Sequence, residues 1–482
     1  MYKYEVISSC FELSCYFIDL LKIHGLCYEW IPSFRKFSGN TIIIKVSDDE
    51  NKDICELIFS TELDITNYWQ EIEIQPEIQL DWYKLFYNNR EFLEFPTWNN
   101  CICSIRIKEN NNDIKPICSI SNNQYKYCIG VYHESRNKIL LSIDIFKYLE
   151  YSLLGLNSFN NSEDWCEING YFKTHKNATN TFIDDLLVLV RTIIMAYFKN
   201  AIPVYIDYHP MNKTAPLIIT GDSDESTFDE IAIYFEHLKK YQHKSCLLIK
   251  EIRVFDELLS SKGEYQTHSF GIHPFSQNKN LQEYSQNILI LYNRYRDSFG
   301  FECSCAVRNH FFQNIDARKQ LIIEREMGIQ FDMNSVLANN NSWIGTGSGV
   351  GIPIPYPPID GKYNIYPLHF TTVIEDDVFL FKYEYCYKPF LNDSYSTKSL
   401  IIKFLNQWMI KMNKPAQINL HPQNPNDLMN LIVQWSIRNH IWNPNINEYH
   451  QWLLERNSTT IRVFDKSEYE VYTESDNIIL KK

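Results

Sequence analysis

Seven side chains able to ligate a metal or move a proton stand where short apolar runs give out. Pro216-Leu217-Ile218-Ile219-Thr220 runs into Gly221-Asp222-Ser223-Asp224. Ser269 to Ile272 stops at His273, Cys303 to Val307 stops at Arg308 with His310 two residues on, Ile329 to Phe331 stops at Asp332, and Gln417 to Leu420 stops at His421. An apolar run broken by a polar residue is the pattern of a buried strand delivering a side chain at its carboxyl end. Two carboxylates one residue apart repel each other unless a cation or a shared proton lies between them. Asp and His ligands suit a zinc-like divalent cation with one position left open for water. A further Asp can take a proton from that water, and a His can protonate a leaving group. The chemistry is metal-assisted hydrolysis. Asp, Ser and Gly also make good turns, so Asp222 and Asp224 alone say little. Five separate runs ending in charge-capable groups say more.

The elements that must position these residues follow from periodicity. After Asp224 a helix is predicted, with Phe228, Ile231, Tyr234, Phe235, Leu238 and Tyr241 on one face. Ser226, with Asp229 three residues on, reads as its capping-box-like start. A strand over Cys246–Ile249, a helix over Val254–Leu259 and a long helix through Leu281, Tyr284, Ile288, Leu291, Tyr292 and Tyr295 follow. Beyond them come a helix from Ala317 to Arg325, a strand from Val378 to Tyr383, a helix from Leu400 to Met412, two more helices and a strand from Thr460 to Phe464. Repeated strand–helix units predict an α/β fold with a parallel sheet, a (β/α) barrel of about seven units. Residues 1–205 read as a smaller α/β N-terminal module without evident chemistry. Its predicted parts are a helix from Phe11 to Gly25, strands over Thr41–Val46, Cys101–Lys108 and Tyr125–Val131, and helices over Ile139–Leu156 and Ile183–Phe198. Asp48 and Asp49 read as a solvated turn. Ala201 to Thr214, with Pro203 and Pro210, reads as the linker, so residues 206–482 form the barrel.

A chain of 482 residues holds about two to three domains. Its net charge of −13 and lack of a basic stripe exclude nucleic acid as the expected partner. The 13 cysteines are scattered, and Cys101/Cys103 and Cys303/Cys305 are C-x-C pairs, which points to reduced thiols and a cytoplasmic home. Met1 to Leu26 carries Glu5, Glu12, Asp19 and Lys22 and lacks the form of a signal peptide. The longest apolar run, Leu186 to Phe198, is interrupted by Arg191 and too short to span a bilayer.

In order, these residues resemble the polysaccharide deacetylases, the NodB-homology carbohydrate esterases. Thr220-Gly221-Asp222-Ser223-Asp224 takes the place of that family's Thr-Phe-Asp-Asp-Gly, in a form similar to a bacterial branch with a T-x-D-x-D motif and an extra N-terminal module. Gly271-Ile272-His273 matches the first half of Gly-Asn-His, but the His expected four residues on is Gln277. Arg308-Asn309-His310-Phe311 stands for Arg-x-Pro-Tyr, Asp332 for the fourth-motif Asp, and Leu420-His421 for the fifth motif. The resemblance covers about residues 206–440. It implies a distorted barrel and a divalent metal, Zn2+ or another, held by Asp224 and His273. The third ligand would be His310, or an oxygen of Gln277 or Asn278. It further implies that Asp222 is the general base, that Arg308 orients it, that His421 is the general acid, and that Asp332 tunes its partner. The expected activity is removal of an N- or O-acetyl group from a sugar or glycan precursor. The other reading is an inactive relative that binds carbohydrate or serves as a scaffold. Gly345 to Gly349, with Tyr356, reads as a loop able to line the substrate cleft.

Overall fold

A computed structural model describes the chain apart from residue 1 and segments 38–39, 48–52, 62–68, 76–77, 79–81, 97–100, 109–111, 155–181, 262–264, 279, 301–302, 311–314, 336–349, 377–396, 425–426 and 465–467. The turn at Asp48 and Asp49, the Gly345–Gly349 loop, Phe311 and the strand expected over Val378–Tyr383 lie outside the described residues.

The strand–helix alternation read from Ala215 onward builds a curled sheet of nine strands. In spatial order these are Ile354–Pro355, Leu368–His369, Phe331–Asp332, Ala306–Val307, Ser269–Ile272, Ser245–Ile249, Leu217–Asp222, Ala416–Asn419 and Thr372–Glu375. Every neighbouring pair is parallel except the first. Among the described residues the two outer strands do not pair with each other, so the sheet is an open half-barrel. Helices Phe228–Lys240, Ile252–Ser260, Leu281–Phe299 and Ala317–Met327 cross between strands. The first starts one residue later than expected. Thr227 caps it in a reciprocal box with Glu230, while Ser226 turns its hydroxyl to Gln423.

Period-two alternation divides this sheet into two faces. Leu217, Ile219, Leu247, Ile249, Ile272 and Val307 pack outward on the helices, against Ile231, Tyr234, Phe235, Tyr284 and Ile288. Ile218, Cys246, Leu248, Ala306, Phe331 and Leu368 fill the inside of the curl. Gly271 lies beside Leu248 on the inner face. A Cβ there would stand 2.5 Å from the Ala306 carbonyl oxygen and from a Leu248 methyl, so only glycine lets these strands approach.

Residues before 205 form a second nine-stranded sheet, mostly antiparallel, running from Trp30–Phe34 at one edge to Arg90–Pro96 at the other. Helices Phe11–Ile23, Ile145–Leu154 and Phe182–Tyr197 belong to this part. The helix expected over Ile139–Leu156 is shorter. Its first residues are the strand Lys138–Leu141, which pairs on both sides. Three apolar residues in a row, Ile139 to Leu141, cannot separate strand from helix by period.

The two parts share buried structure. The N-terminal core takes in Leu321, Val350, Ile352, Ile354, Ile461 and Val463. Asp184, fully buried, accepts the Gly351 and Ile352 N–H groups at 2.7 and 3.4 Å, with the Lys414 ammonium at 3.8 Å. Arg456, 1% exposed, donates to the carbonyls of Lys22, Ile23, Ile206 and Asp207 at 2.6–3.4 Å. No helix of the described residues is long and apolar enough to cross a membrane.

Removing the Arg456 guanidinium strands several buried carbonyl oxygens. Arg456→Ala should therefore lose about 3 kcal/mol or more in urea unfolding, since a net bond to a charged group contributes about 1.5–3 kcal/mol. Arg456→Lys should recover only part, because an ammonium cannot fork to several acceptors. An unchanged unfolding midpoint in Arg456→Ala would show that these bonds do not hold the halves together.

Candidate metal centre

The strand Leu217–Asp222 ends with Asp222 on the inner face, two residues beyond Thr220 and four beyond Ile218. Ser223 keeps the ladder going by donating its N–H to the Leu248 carbonyl at 2.9 Å, and its hydroxyl accepts the Lys250 N–H at 3.0 Å. Asp224 then takes a left-handed backbone, φ +35°, a conformation Asp tolerates better than most side chains. The two carboxylates are thereby held apart in direction although only one residue separates them.

His273 and His310 extend neighbouring strands. The His273 N–H bonds the Ile249 carbonyl and the His310 N–H bonds the Pro274 carbonyl, both at 2.9 Å. Asp224 Oδ1 lies 3.0 Å from His273 Nε2 and 2.8 Å from His310 Nδ1, and the two ring nitrogens are 3.1 Å apart. His273 Nδ1 donates to the Arg308 carbonyl at 2.6 Å. A carbonyl can only accept, so a neutral His273 ring presents a lone pair at Nε2. That lone pair, the His310 nitrogen and an ionised carboxylate oxygen all converge on one point. Ligands about 2.0–2.1 Å from a tetrahedral ion lie ~3.3 Å from one another, so the donor set fits a divalent cation in both type and spacing. Gln277 and Asn278 are exposed in the loop before helix Leu281–Phe299. There their N–H groups donate to the Glu283 carboxylate at 2.8 and 3.1 Å. His310 is the residue that completes the triad.

Asp222 is clamped beside it. Arg308, 0% exposed, donates Nη1 to Asp222 Oδ1 and Nη2 to Thr220 Oγ1, both at 2.8 Å. Asn419 Nδ2 donates to Asp222 Oδ2 at 2.9 Å and to both oxygens of Glu375 at 3.0 Å. Thr220, Asn419 and Glu375 share the inner face because they are register partners across adjacent strands.

His421 closes the mouth. Its Nε2 lies 3.3 Å from Asp224 Oδ2 and 3.9 Å from Asp222 Oδ2, while Nδ1 donates to Asp376 Oδ1 at 2.6 Å. Asp376 Oδ2 also accepts the His421 N–H at 2.8 Å and the Asn424 amide at 2.9 Å. Burial would depress the imidazolium, but the Asp376 charge, the bonds to Asp224 and Asp376 and the nearby Glu375 raise its pKa well above the usual histidine value. Burial opposes the charge on Asp224 too. The imidazoles of His273, His310 and His421 at its two oxygens outweigh it and hold that carboxyl below the ordinary range. His310 is shifted down, by burial first, with its bond to Asp224 opposing. Glu375 is pushed well up by burial, only partly offset by His421, and the Asp376 and Asp222 charges add to the rise.

Asp222, Asp224, His273, Arg308, His310 and His421 are thus brought together. Asp332 is not, and the carboxylate expected to tune His421 is a different one. Asp332 pairs with Val307 and so faces the helices. It bonds Tyr356 and the Asn334 N–H, and it shares a buried pocket of negative charge with Glu324. Burial raises its pKa. Tyr356 reaches Asp332 and His369 rather than a cleft beside the metal ligands. Asp376 and Glu375 fill the role at His421. Their signal was present: Thr372-Val373-Ile374 is an apolar run broken by two acids, as at Asp222.

No family model and no curated protein matches the chain. Among solved structures, it is similar to a candidate polysaccharide deacetylase of O-antigen biosynthesis from Bordetella bronchiseptica, at 15% identity and TM-score 0.28, over 50% of this chain and 90% of that one. A peptidoglycan deacetylase from Bacillus subtilis matches at 11% identity and TM-score 0.30, over 51% and 95%. A CE4 family pseudoenzyme from Bacillus anthracis matches at 12% and 0.30, over 54% and 69%. These scores are too low for the likeness to decide either fold or activity, so the site rests on its own geometry.

Protein purified without added metal and measured by mass spectrometry should hold about one divalent ion, the number one such triad can take. His273→Ala and His310→Ala should each lose most of it, and Asn278→Ala should keep it. Stoichiometric metal in His310→Ala would move the third ligand elsewhere.

Proposed function

We propose that the chain removes an acetyl group from an acetylated sugar or glycan precursor as a metal-dependent deacetylase or related amidase. The observation that carries this reading is the arrangement around Asp224. A triad of ligand atoms is flanked by a clamped carboxylate, Asp222, and by an imidazole, His421, backed by its own carboxylate. Base and acid so placed, with environments that differ, are what hydrolysis of an acyl bond requires. The order of the motifs, with the deacetylase resemblance they carry, supports the choice of substrate.

Asp224, His273 and His310 would hold the ion. A divalent metal there supplies a polarised acyl carbonyl and a water acidic enough to attack near neutral pH. Asp222 accepts the water's proton. With one oxygen on Arg308 and the other on Asn419, its carboxylate is held in a fixed orientation. His421 holds its Nδ1 proton on Asp376, so its transferable proton is at Nε2, the atom that faces Asp222 and Asp224. From there it passes to the departing amine or hydroxyl. Residues 1–205 are read as an accessory α/β module and 206–482 as the catalytic half. Free thiols at all described cysteines support a cytoplasmic home and a soluble precursor as substrate.

Acetate release from N- and O-acetylated sugars by zinc-loaded protein tests the reading. Metal bound at stoichiometry without any release would favour a carbohydrate-binding protein instead. Asp222→Asn should abolish release and keep the metal. His421→Ala should lower turnover by about 10²–10⁴-fold, the span of one general acid, also with metal retained. Loss of the ion in His421→Ala would make it a ligand rather than the acid. The pH profile adds a signed test. His421 acts as the protonated acid, so activity falls as pH rises through its raised pKa. Asp376→Asn removes a charge that raises this pKa, so the alkaline limb should move to lower pH, and an unmoved limb would deny Asp376 that part.

A further inference from the structure

A cavity of about 680 Å³ opens at the other end of the half-barrel. Its lining includes Ser304, Gln330 and Lys213, which precede the strands Ala306–Val307, Phe331–Asp332 and Leu217–Asp222. The metal-centre residues come from the carboxyl ends of these and neighbouring strands. The cavity therefore belongs to the opposite rim, and nothing in the hydrolytic chemistry uses it.

Its floor is internally satisfied. His450 accepts or donates on both sides, with Ser304 Oγ 2.7 Å from Nδ1 and the Tyr366 hydroxyl 2.7 Å from Nε2. Gln330 spends its oxygen on the Cys305 N–H at 2.6 Å and its amide on the Gly328 carbonyl at 2.7 Å. The walls are different. Trp442 is half-buried, set edge-on to Tyr449 at 6.1 Å, and among the described residues its indole N–H has no acceptor. Asn447 uses its oxygen on the Ser304 N–H at 2.7 Å, which aims its amide donors elsewhere. Gln451 and Glu455 form an exposed pair at 3.3 Å, and Asn477 is exposed at the rim.

A flat indole with a spare N–H, ringed by side-chain amides and a carboxylate, matches a pyranose. The sugar's hydroxyls meet the indole N–H and the amides. The volume falls within the ~300–1,000 Å³ of small-molecule sites. Glu448 is paired with the Lys244 ammonium, so Glu448 and Glu455 are balanced by Lys244 and Lys213, which suits a ligand without net charge. We propose that this cavity is a second carbohydrate site, for a neutral sugar, separate from the metal centre and independent of whether that centre is catalytic.

The test uses the full chain with glucose, galactose, mannose and N-acetylglucosamine as probes. Saturation-transfer NMR detects contact and calorimetric titration measures affinity, up to about 50 mM, the range of weak sugar sites. At least one probe should bind wild type and His273→Ala alike. Trp442→Phe keeps the packing on Tyr449 but lacks the N–H, and Asn477→Ala changes an exposed residue. Each should weaken binding about fivefold, the value of one net hydrogen bond. Absence of binding for all four sugars overturns the proposal. So does binding that Trp442→Phe and Asn477→Ala both leave unchanged, whatever His273→Ala does to it.

Discussion

Three lone-pair-bearing atoms, Asp224 Oδ1, His273 Nε2 and His310 Nδ1, stand within 3.1 Å of one another inside the curl. Atoms of like polarity crowd together in a low-dielectric place only if a cation or a shared proton sits among them. Much of the surrounding structure serves that crowding. Arg308 answers Asp222 with a buried guanidinium and spends its carbonyl on fixing the His273 ring. Asn419 divides one amide between Asp222 and Glu375. Gly271 lets its strand come close enough for His273 and His310 to approach from adjacent positions. Four carboxyl groups, Asp222, Asp224, Glu375 and Asp376, are concentrated here against Arg308 and His421.

Strand ends that deliver chemistry were legible because two physical rules act together there. Buried parallel strands read as apolar runs, and a polar residue can follow only where the strand leaves its packed layers. Asp222, His273, Arg308 and His421 obey both rules. Asp332 obeys them too, yet its side chain belongs to the outer layer. Phe331 and Met333 face inward, and alternation sends Asp332 to Glu324 and Tyr284 beneath the helices. A strand of two residues carries no period from which a face can be read. The run before Asp376 was legible, but the face it serves was not, for a related reason. The register shifts between Thr372 and Ile374, so the inward face of that strand cannot be counted from its start.

The N-terminal part was less legible. Its sheet draws on short strands, some of alternating burial such as Lys3–Ser8 and some without regular alternation such as Ile114–Ser121, so period two is a weak signal there. The linker was read from prolines and missing periodicity, and those cues are local. They do not reveal that the Ala201–Thr214 segment carries the strand Tyr205–Ile206, paired with Leu480–Lys481 from the far end of the chain. Long-range pairing leaves no mark on the composition of either partner.

In the metal centre proposed above, His310 rather than a residue of the loop after His273 completes the ligand set, and all three ligands follow the ends of strands of one sheet. The loop after His273 is thereby released from coordination. It spends its N–H groups on Glu283 and serves as the lead-in to a helix. A rim segment with no duty toward the ion can change length or composition without disturbing the reacting centre. On the function proposed above, substrate choice can drift while the chemistry stays put, with selectivity reshaped in one loop and the ligands kept at the strand ends behind it.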